Sequence, residues 1–203
     1  DMDPIFDFAK SKGLRVLEDA AHAIGSKYKN RRIGSFGDMV SFSFHPNKNM
    51  TSIEGGALLL WNQSEAEQVD LWKFHGLKKD NFGNMDVLFA AGKFNMPDVS
   101  AAVGLAQLRR LDEFCKKRYD LVNFYYQNLE HPLLNLPERG DHGHSWHIFS
   151  PLVDFAKAGM TRPQFIQKMN DHKIGVGVHY ASVSSFTAYK TNRHACPVAH
   201  QIG

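Results

Sequence analysis

Residues 4–13, PIFDFAKSKG, place Ile5, Phe6, Phe8 and Ala9 on one side of a helical turn. Pro4 falls in the first turn and Gly13 where a left-handed cap closes it, which predicts a short helix. LRVLED follows as a strand. The order of helix, tight loop and apolar strand predicts an αβ unit in a mainly parallel sheet, in which loops at the carboxyl ends of strands build the site, and Asp19 sits at such an end. DMVSFSF, residues 38–44, and GGALLLW, residues 55–61, read as the next strands, with Lys48 in the connection between them. SEAEQVDLWKFHG reads as a helix with Ser64 as cap, Glu67 completing a capping box and Gly76 ending it. From Pro97 to Glu130, apolar residues recur at helical spacing: Val99, Val103, Ala106, Leu111 and Phe114, then Leu121, Val122, Tyr125 and Leu129. With Pro132 just beyond, this predicts one long helix, of a length that bridges two domains or packs along a neighbouring subunit, its aromatic residues belonging to the core.

After a polar, Pro-containing link the pattern changes. WHIFSPLVDF reads as a strand, TRPQFIQKMNDHK as a helix capped by Thr161 with Gln164 closing the box, and IGVGVHY as a strand again. The chain therefore divides into a larger α/β domain over residues 1–130, including the long helix, and a smaller βαβ-like domain over 131–203. The last thirteen residues, TNRHACPVAHQIG, carry no periodic pattern, and no repeat or low-complexity segment is present.

Composition narrows the classes. The 203 residues are 43% hydrophobic and 22% charged, enough for one large or two modest cores. No window approaches the roughly 20 apolar residues of a membrane span, and the opening DMDPIFDFAKSKG lacks the layout of a secretory signal, so the chain reads as soluble and cytoplasmic. Cys115 and Cys196 are too far apart to suggest a disulfide framework or a zinc knuckle. A formal charge of +3 with scattered basic residues gives no nucleic-acid signature, and Lys116, Lys117 and Arg118 read as a solvated helix face. Eleven histidines include three in DHGHSWH, but His142, His144 and His147 lack the Cys or carboxylate partners of a zinc site and read as a polar loop leading into a strand.

The chemistry centres on SFSFHPNKNMTSIEGG, where a β-rich run ends near a lone lysine. A loop lysine is ordinarily just solvated. It becomes useful to an enzyme when partial burial or a neighbouring cation lets its amine lose a proton, and Lys48, at the end of a Val/Phe-rich strand, is placed for that. Asp19, in VLEDAAHA, supplies a carboxylate at another strand end, suited to keeping a pyridine nitrogen protonated. Pyridoxal 5′-phosphate needs both groups, and its phosphate needs hydroxyl and N–H donors, which Ser43 and the turn at residues 49–51 offer in part. The spacing alone leaves other assignments open.

VLEDAAHAIGSKYKNRRIGSFGDMVSFSFHPNKNMTSIEGGALL resembles the cofactor region of the DegT/DnrJ/EryC1/StrS family of sugar-nucleotide aminotransferases, with its E-D-A-A-[HQ]-A strand end, G-x-x-G-D turn, S-F-x-x-x-K-[NT] segment and E-G-G. The resemblance continues through WKFHGL, GKFNMPDVSAAVGLAQLRRLD, HSWHIF and IGVGVHY, and is strongest to the branch that makes UDP-4-amino-4-deoxy-L-arabinose. It implies part of a fold-type I pyridoxal-phosphate transferase, with an incomplete small α+β C-terminal domain. It implies Lys48 as the Schiff-base lysine and proton shuttle, Asp19 as partner of the pyridine nitrogen, His22 beside the cofactor ring and Ser43 on the phosphate. Lys93 and Asn95 would reach across a homodimer interface to the partner's phosphate, and His179 would lie near the sugar-nucleotide pocket. The implied reaction is transamination of a nucleotide-linked 4-keto sugar with L-glutamate. Dehydrating branches carry histidine where Lys48 stands, which disfavours dehydration. The family's phosphate-gripping Gly-Thr or Gly-Ser and its ring-stacking aromatic precede the point where this chain starts, so the sequence also reads as an internal piece of a longer protein, with a non-catalytic remnant or interaction module as the competing expectation.

Overall fold

In a computed structural model, residues 1–140, 143–189 and 196–202 are described. The chain falls into two compact units, one of Asp1–Gln127 with Arg139–Phe149 and the other of Asn128–Glu138 with Ser150–Gly203.

Unit 1 opens with α1, Asp3–Ser11, which has Pro in its first turn and buries Ala9; Gly13 follows at φ +63°. The helix leads to β1, Leu17–Asp19, which pairs in parallel with β4, Met39–Ser43, so that Leu17 faces Met39 and Asp19 faces Ser41. β4 in turn pairs antiparallel with β5, Gly56–Leu60, with Ser41 opposite Leu58 and Ser43 opposite Gly56. β4 is thus the centre of a three-stranded sheet, and its Val40 is fully buried. Between β1 and β4 the chain makes a hairpin of β2, Lys27–Tyr28, and β3, Arg31–Arg32. Its turn residues Lys29 and Asn30 both have positive φ, the type I′ geometry that matches the twist of paired strands. The loop then returns over the sheet through Gly37, where φ is +93° and any Cβ would collide with the Glu18 carboxylate.

α2, Gln63–Lys73, is capped two residues earlier than Ser64 suggests. Its cap is Asn62, whose Oδ1 accepts from the backbone N–H groups of Ser64 and Glu65 while the backbone at Asn62 is still extended. Ser64 instead donates its hydroxyl to the same oxygen. A hairpin follows, β6, Leu77–Lys79, and β7, Met85–Val87.

The long helix predicted over residues 97–130 is two helices, α3, Asp98–Leu108, and α4, Leu111–Asn128. Arg109, at the break, keeps right-handed helical angles. The Arg110 N–H reaches back only to the Gln107 carbonyl, tightening one turn, and the longer ladder resumes with the Phe114 N–H on the Arg110 carbonyl. This re-aims Leu111 into the core, where it packs with Ile24 and Met50 against Phe42, Phe44 and Cys115. The aromatic residues of α4 join the core only in part: Tyr125 stacks on Phe149 at 5.0 Å and Tyr126 meets Trp146 edge-on, both half-buried, whereas Phe124 is 58% exposed.

In unit 2, β8, Leu134–Asn135, pairs with β9, Leu152–Val153. The strand predicted across WHIFSPLVDF shrinks to those two residues because Trp146 turns inward at φ +49° and Phe155 already opens α5, Phe155–Ala158. α6, Arg162–Asp171, carries the predicted capping box between Thr161 and Gln164. Residues 174–180 form no strand. Ile174, Val176 and Val178 alternate with two glycines and stay exposed, since no strand among the described residues takes up their backbone groups. The unpatterned tail contains a short helix, α7, Pro197–Ile202. Among the described residues no helix is long and apolar enough to cross a membrane.

Candidate active site

The topology puts Asp19 and Ser43 at the carboxyl end of the central sheet, and Lys48 in the connection that leaves this end. Parallel pairing sets Asp19 beside Ser41, and Ser43 lies two residues further along β4, so Asp19, Ser41 and Ser43 share a face by the alternation of strand side chains. A rise of about 3.3 Å per residue and a strand spacing of about 4.8 Å put the Cα atoms of Asp19 and Ser43 roughly 8 Å apart. Opposite Ser43 stands Gly56, where a Cβ would collide with the Phe42 carbonyl oxygen. The same face carries Leu17 and Leu58, 61% and 42% exposed, so it is open within this chain.

Asp19 ends β1. One carboxylate oxygen accepts the Ala21 N–H at 3.1 Å, which fixes the rotamer and leaves the other oxygen able to accept a second donor. Ser43 is half-buried, and its Oγ accepts a long 3.4 Å bond from the His45 N–H, leaving the hydroxyl proton able to point elsewhere.

Lys48 lies in the β4–β5 connection, in a turn closed by its own N–H on the His45 carbonyl at 2.9 Å. It is the one lysine among the described residues that is not exposed. Among the described residues no carboxylate or carbonyl holds its amine, in contrast to Lys29, Lys73, Lys116, Lys117 and Lys157, each in an ion pair. The side chains of the turn at residues 49–51 are committed to the loop itself. Thr51 donates to the Phe44 carbonyl and accepts from the Ile53 N–H, and the Asn49 amide is buried against two carbonyls.

His22, on the loop after β1, is exposed, and its ring meets that of His147 edge-on at 4.4 Å. Lys93 and Asn95 bond to each other at 2.9 Å, with the Lys93 ammonium 4.8 Å over the Phe74 ring; no hydrogen bond or ion pair joins either to Asp19, Ser43 or Lys48 among the described residues. His179 belongs to unit 2, on the exposed stretch after α6, with its ring 4.5 Å from that of Tyr180.

Sequence reasoning missed the segment at residues 143–147. Read as a polar loop, it is held against the loop after β1: Ser145 and Trp146 are buried, and Ser26 and Ser145 bond to each other twice, at 2.8 and 3.1 Å. The lone tryptophan between polar residues was the available signal. His142, the first of the histidines considered for zinc, lies outside the described residues; among those described, no three His, Cys, Asp or Glu side chains converge on a metal position. Glu18 points to the opposite face from Asp19, with Oε1 buried and without a partner, and burial pushes its carboxyl above the ordinary value.

The sequence matches the DegT/DnrJ/EryC1/StrS aminotransferase family over residues 1–203. The chain belongs to this family. Solved structures agree in fold. PseC of Helicobacter pylori, an aminotransferase involved in the biosynthesis of pseudoaminic acid, superposes with a TM-score of 0.87 at 24% identity, over 98% of this chain and 54% of that one. The putative sugar aminotransferase Spr1654 of Streptococcus pneumoniae, in its apo-form, gives 0.78 at 31% identity over 91% of this chain and 48% of its own. DesV of S. venezuelae gives 0.82 at 27% identity over 94% and 50%. The chain spans about half the length of the solved structures it matches. Fold-type I architecture and dependence on pyridoxal 5′-phosphate are those of the DegT/DnrJ/EryC1/StrS family, and Spr1654 is known in PLP- and PMP-forms. The donor set here fits that cofactor: an acceptor oxygen at Asp19, a hydroxyl at Ser43 and an uncommitted, half-buried amine at Lys48.

Proposed function

We propose that this chain carries the lysine-bearing half of an aminotransferase that moves an amino group from L-glutamate to a nucleotide-linked 4-keto sugar in the cytoplasm. The observation that carries the reading is Lys48, the one described lysine shielded from water and lacking a counter-ion, on the loop that leaves the strand paired with Asp19. Bound pyridoxal 5′-phosphate supplies an electrophilic aldehyde and a ring that withdraws electrons from the amino-acid carbon. Asp19 would accept the pyridinium N–H and keep that nitrogen charged, and Ser43 would donate its hydroxyl to a phosphate oxygen. The Lys48 amine would hold the cofactor through its aldehyde, with loss of water, and when free would take up and return the proton of the amino donor's α-carbon.

His22 borders the cofactor ring, with His147 behind it. Lys93 and Asn95, already joined to each other, act as a pair on the phosphate held by a second copy of the chain, making the working unit a homodimer. His179 approaches the sugar nucleotide. Lys48→Ala is the direct test: it abolishes the borohydride-reducible adduct with pyridoxal phosphate and all transfer of label from glutamate. An adduct and turnover that survive in that variant refute the assignment, and a wild-type chain that takes up no cofactor favours a non-catalytic module.

A further inference from the structure

We propose that Asn49 is the positioning residue of the lysine loop, setting where the Lys48 amine stands relative to the loop after β1; this rests on the reading of Lys48 given above. Asn49 is 5% exposed, and its amide nitrogen donates to the Ile24 carbonyl at 3.4 Å and the Ser145 carbonyl at 3.2 Å. Ile24 lies on the loop that begins at Asp19 and carries His22, and Ser145 lies two residues before His147, whose ring touches His22. One amide group therefore meets the three stretches that hold Lys48, Asp19 with His22, and His147.

The other polar contacts of the loop are internal. Thr51 and Ser52 bond to Phe44 and Glu54, the Lys48 N–H bonds to His45, and the nearest ion pair, His45 with Glu54, stays inside it. Among the described residues Asn49 is the only residue of the β4–β5 connection, 44–55, whose side chain donates a hydrogen bond outside that connection. The segments at 24–27 and 143–145 are strapped together without it, through Ser26 with Ser145 and the Lys27 N–H on the Gly143 carbonyl at 2.7 Å. What Asn49 adds is the lysine loop. Its orientation is also fixed: Oδ1 is buried without a partner, and flipping the amide would set that oxygen against two carbonyl oxygens. Met50 anchors the loop in the core beside Ile24 and Leu111, so loss of the amide frees the register of Lys48 while the loop stays buried.

Asn49→Ala and Asn49→Thr, the second retaining one donor, test this in the whole chain. In cofactor-free protein Asn49→Ala speeds amide exchange at residues 45–53 by about tenfold or more and leaves 24–27 and 143–145 near wild type. With added pyridoxal phosphate, borohydride capture at Lys48, mapped by peptide mass, slows by about tenfold or more in Asn49→Ala, because small displacements of a reacting atom are costly. Asn49→Thr stays within about threefold, as one of the two bonds survives. A merely structural asparagine lowers the melting temperature and leaves the capture rate of the folded protein unchanged. That result, or unchanged exchange in the loop, overturns the proposal. If Asn49→Ala does not fold, Asn49→Ser takes its place under the same criteria. A wild-type chain that labels normally beside a normally labelling variant removes only the role of Asn49, whereas a wild-type chain that never labels Lys48 removes the lysine assignment and this role with it.

Discussion

Asp19 and Glu18 are adjacent in sequence and opposite in circumstance. Asp19 faces the open side of the sheet with an oxygen to spare, whereas Glu18 faces the covered side with an oxygen buried beneath Gly37. Asp19→Asn removes the charge that holds a pyridinium proton while keeping the shape and the Ala21 contact. It is expected to leave cofactor capture at Lys48 intact and to lower transamination by about 100-fold or more, comparable to losing one preorganised electrostatic partner, as measured by single-turnover kinetics with glutamate. Glu18 acts on stability instead. Burial raises its carboxyl above the ordinary 4.5, so the folded state binds the proton more tightly than the unfolded state. Stability therefore falls as pH rises through 4.5 towards the folded-state value, and stays lower above it. Glu18→Gln cancels that fall: its melting temperature exceeds wild type near neutral pH and matches it near about pH 4, where both side chains are neutral. At this scale the sequence was informative about residue types at strand ends. It gave no sign of the contacts that Asn49 and His147 make with residues about 25 and 125 positions away.

Among the elements, those with local signals were legible. α1, β4, β5 and the capping box of α6 follow directly from apolar spacing and cap residues. The start of α2 was misplaced because Asn62 and Ser64 are both capping types, and only the backbone distinguishes the one that is still extended. Asn62→Ala should cost about 1 kcal/mol and Ser64→Ala much less, by urea denaturation. The break between α3 and α4 has no Gly or Pro to announce it, since Leu111 is redirected by the core it enters. Leu111→Ala, emptying the space against Ile24 and Met50, should cost about 2–5 kcal/mol and loosen the lysine loop above it. IGVGVHY has the alternation of a strand but lacks a paired neighbour here, and alternation alone makes no ladder.

At the scale of the whole molecule, unit 1 exposes large apolar side chains around its second hairpin and the start of α3: Phe82, Met85, Phe94 and Val99 are each more than 70% accessible. β1 and β5 are also the two outer strands of the sheet. Such surface drives association, so the chain should sediment as dimers or larger species, and Phe82→Ser with Phe94→Ser should shift it towards monomer at equal concentration. Family membership was readable because its motifs are local and ordered along the chain. The inward turn of Trp146 was not, because it depends on tertiary packing against α4. The most direct test of the account is to incubate the chain with pyridoxal 5′-phosphate, reduce with borohydride and map the label by mass. Label concentrated on Lys48 is the predicted result; no label, or label spread over the exposed lysines while residue 48 stays unmodified, would contradict it.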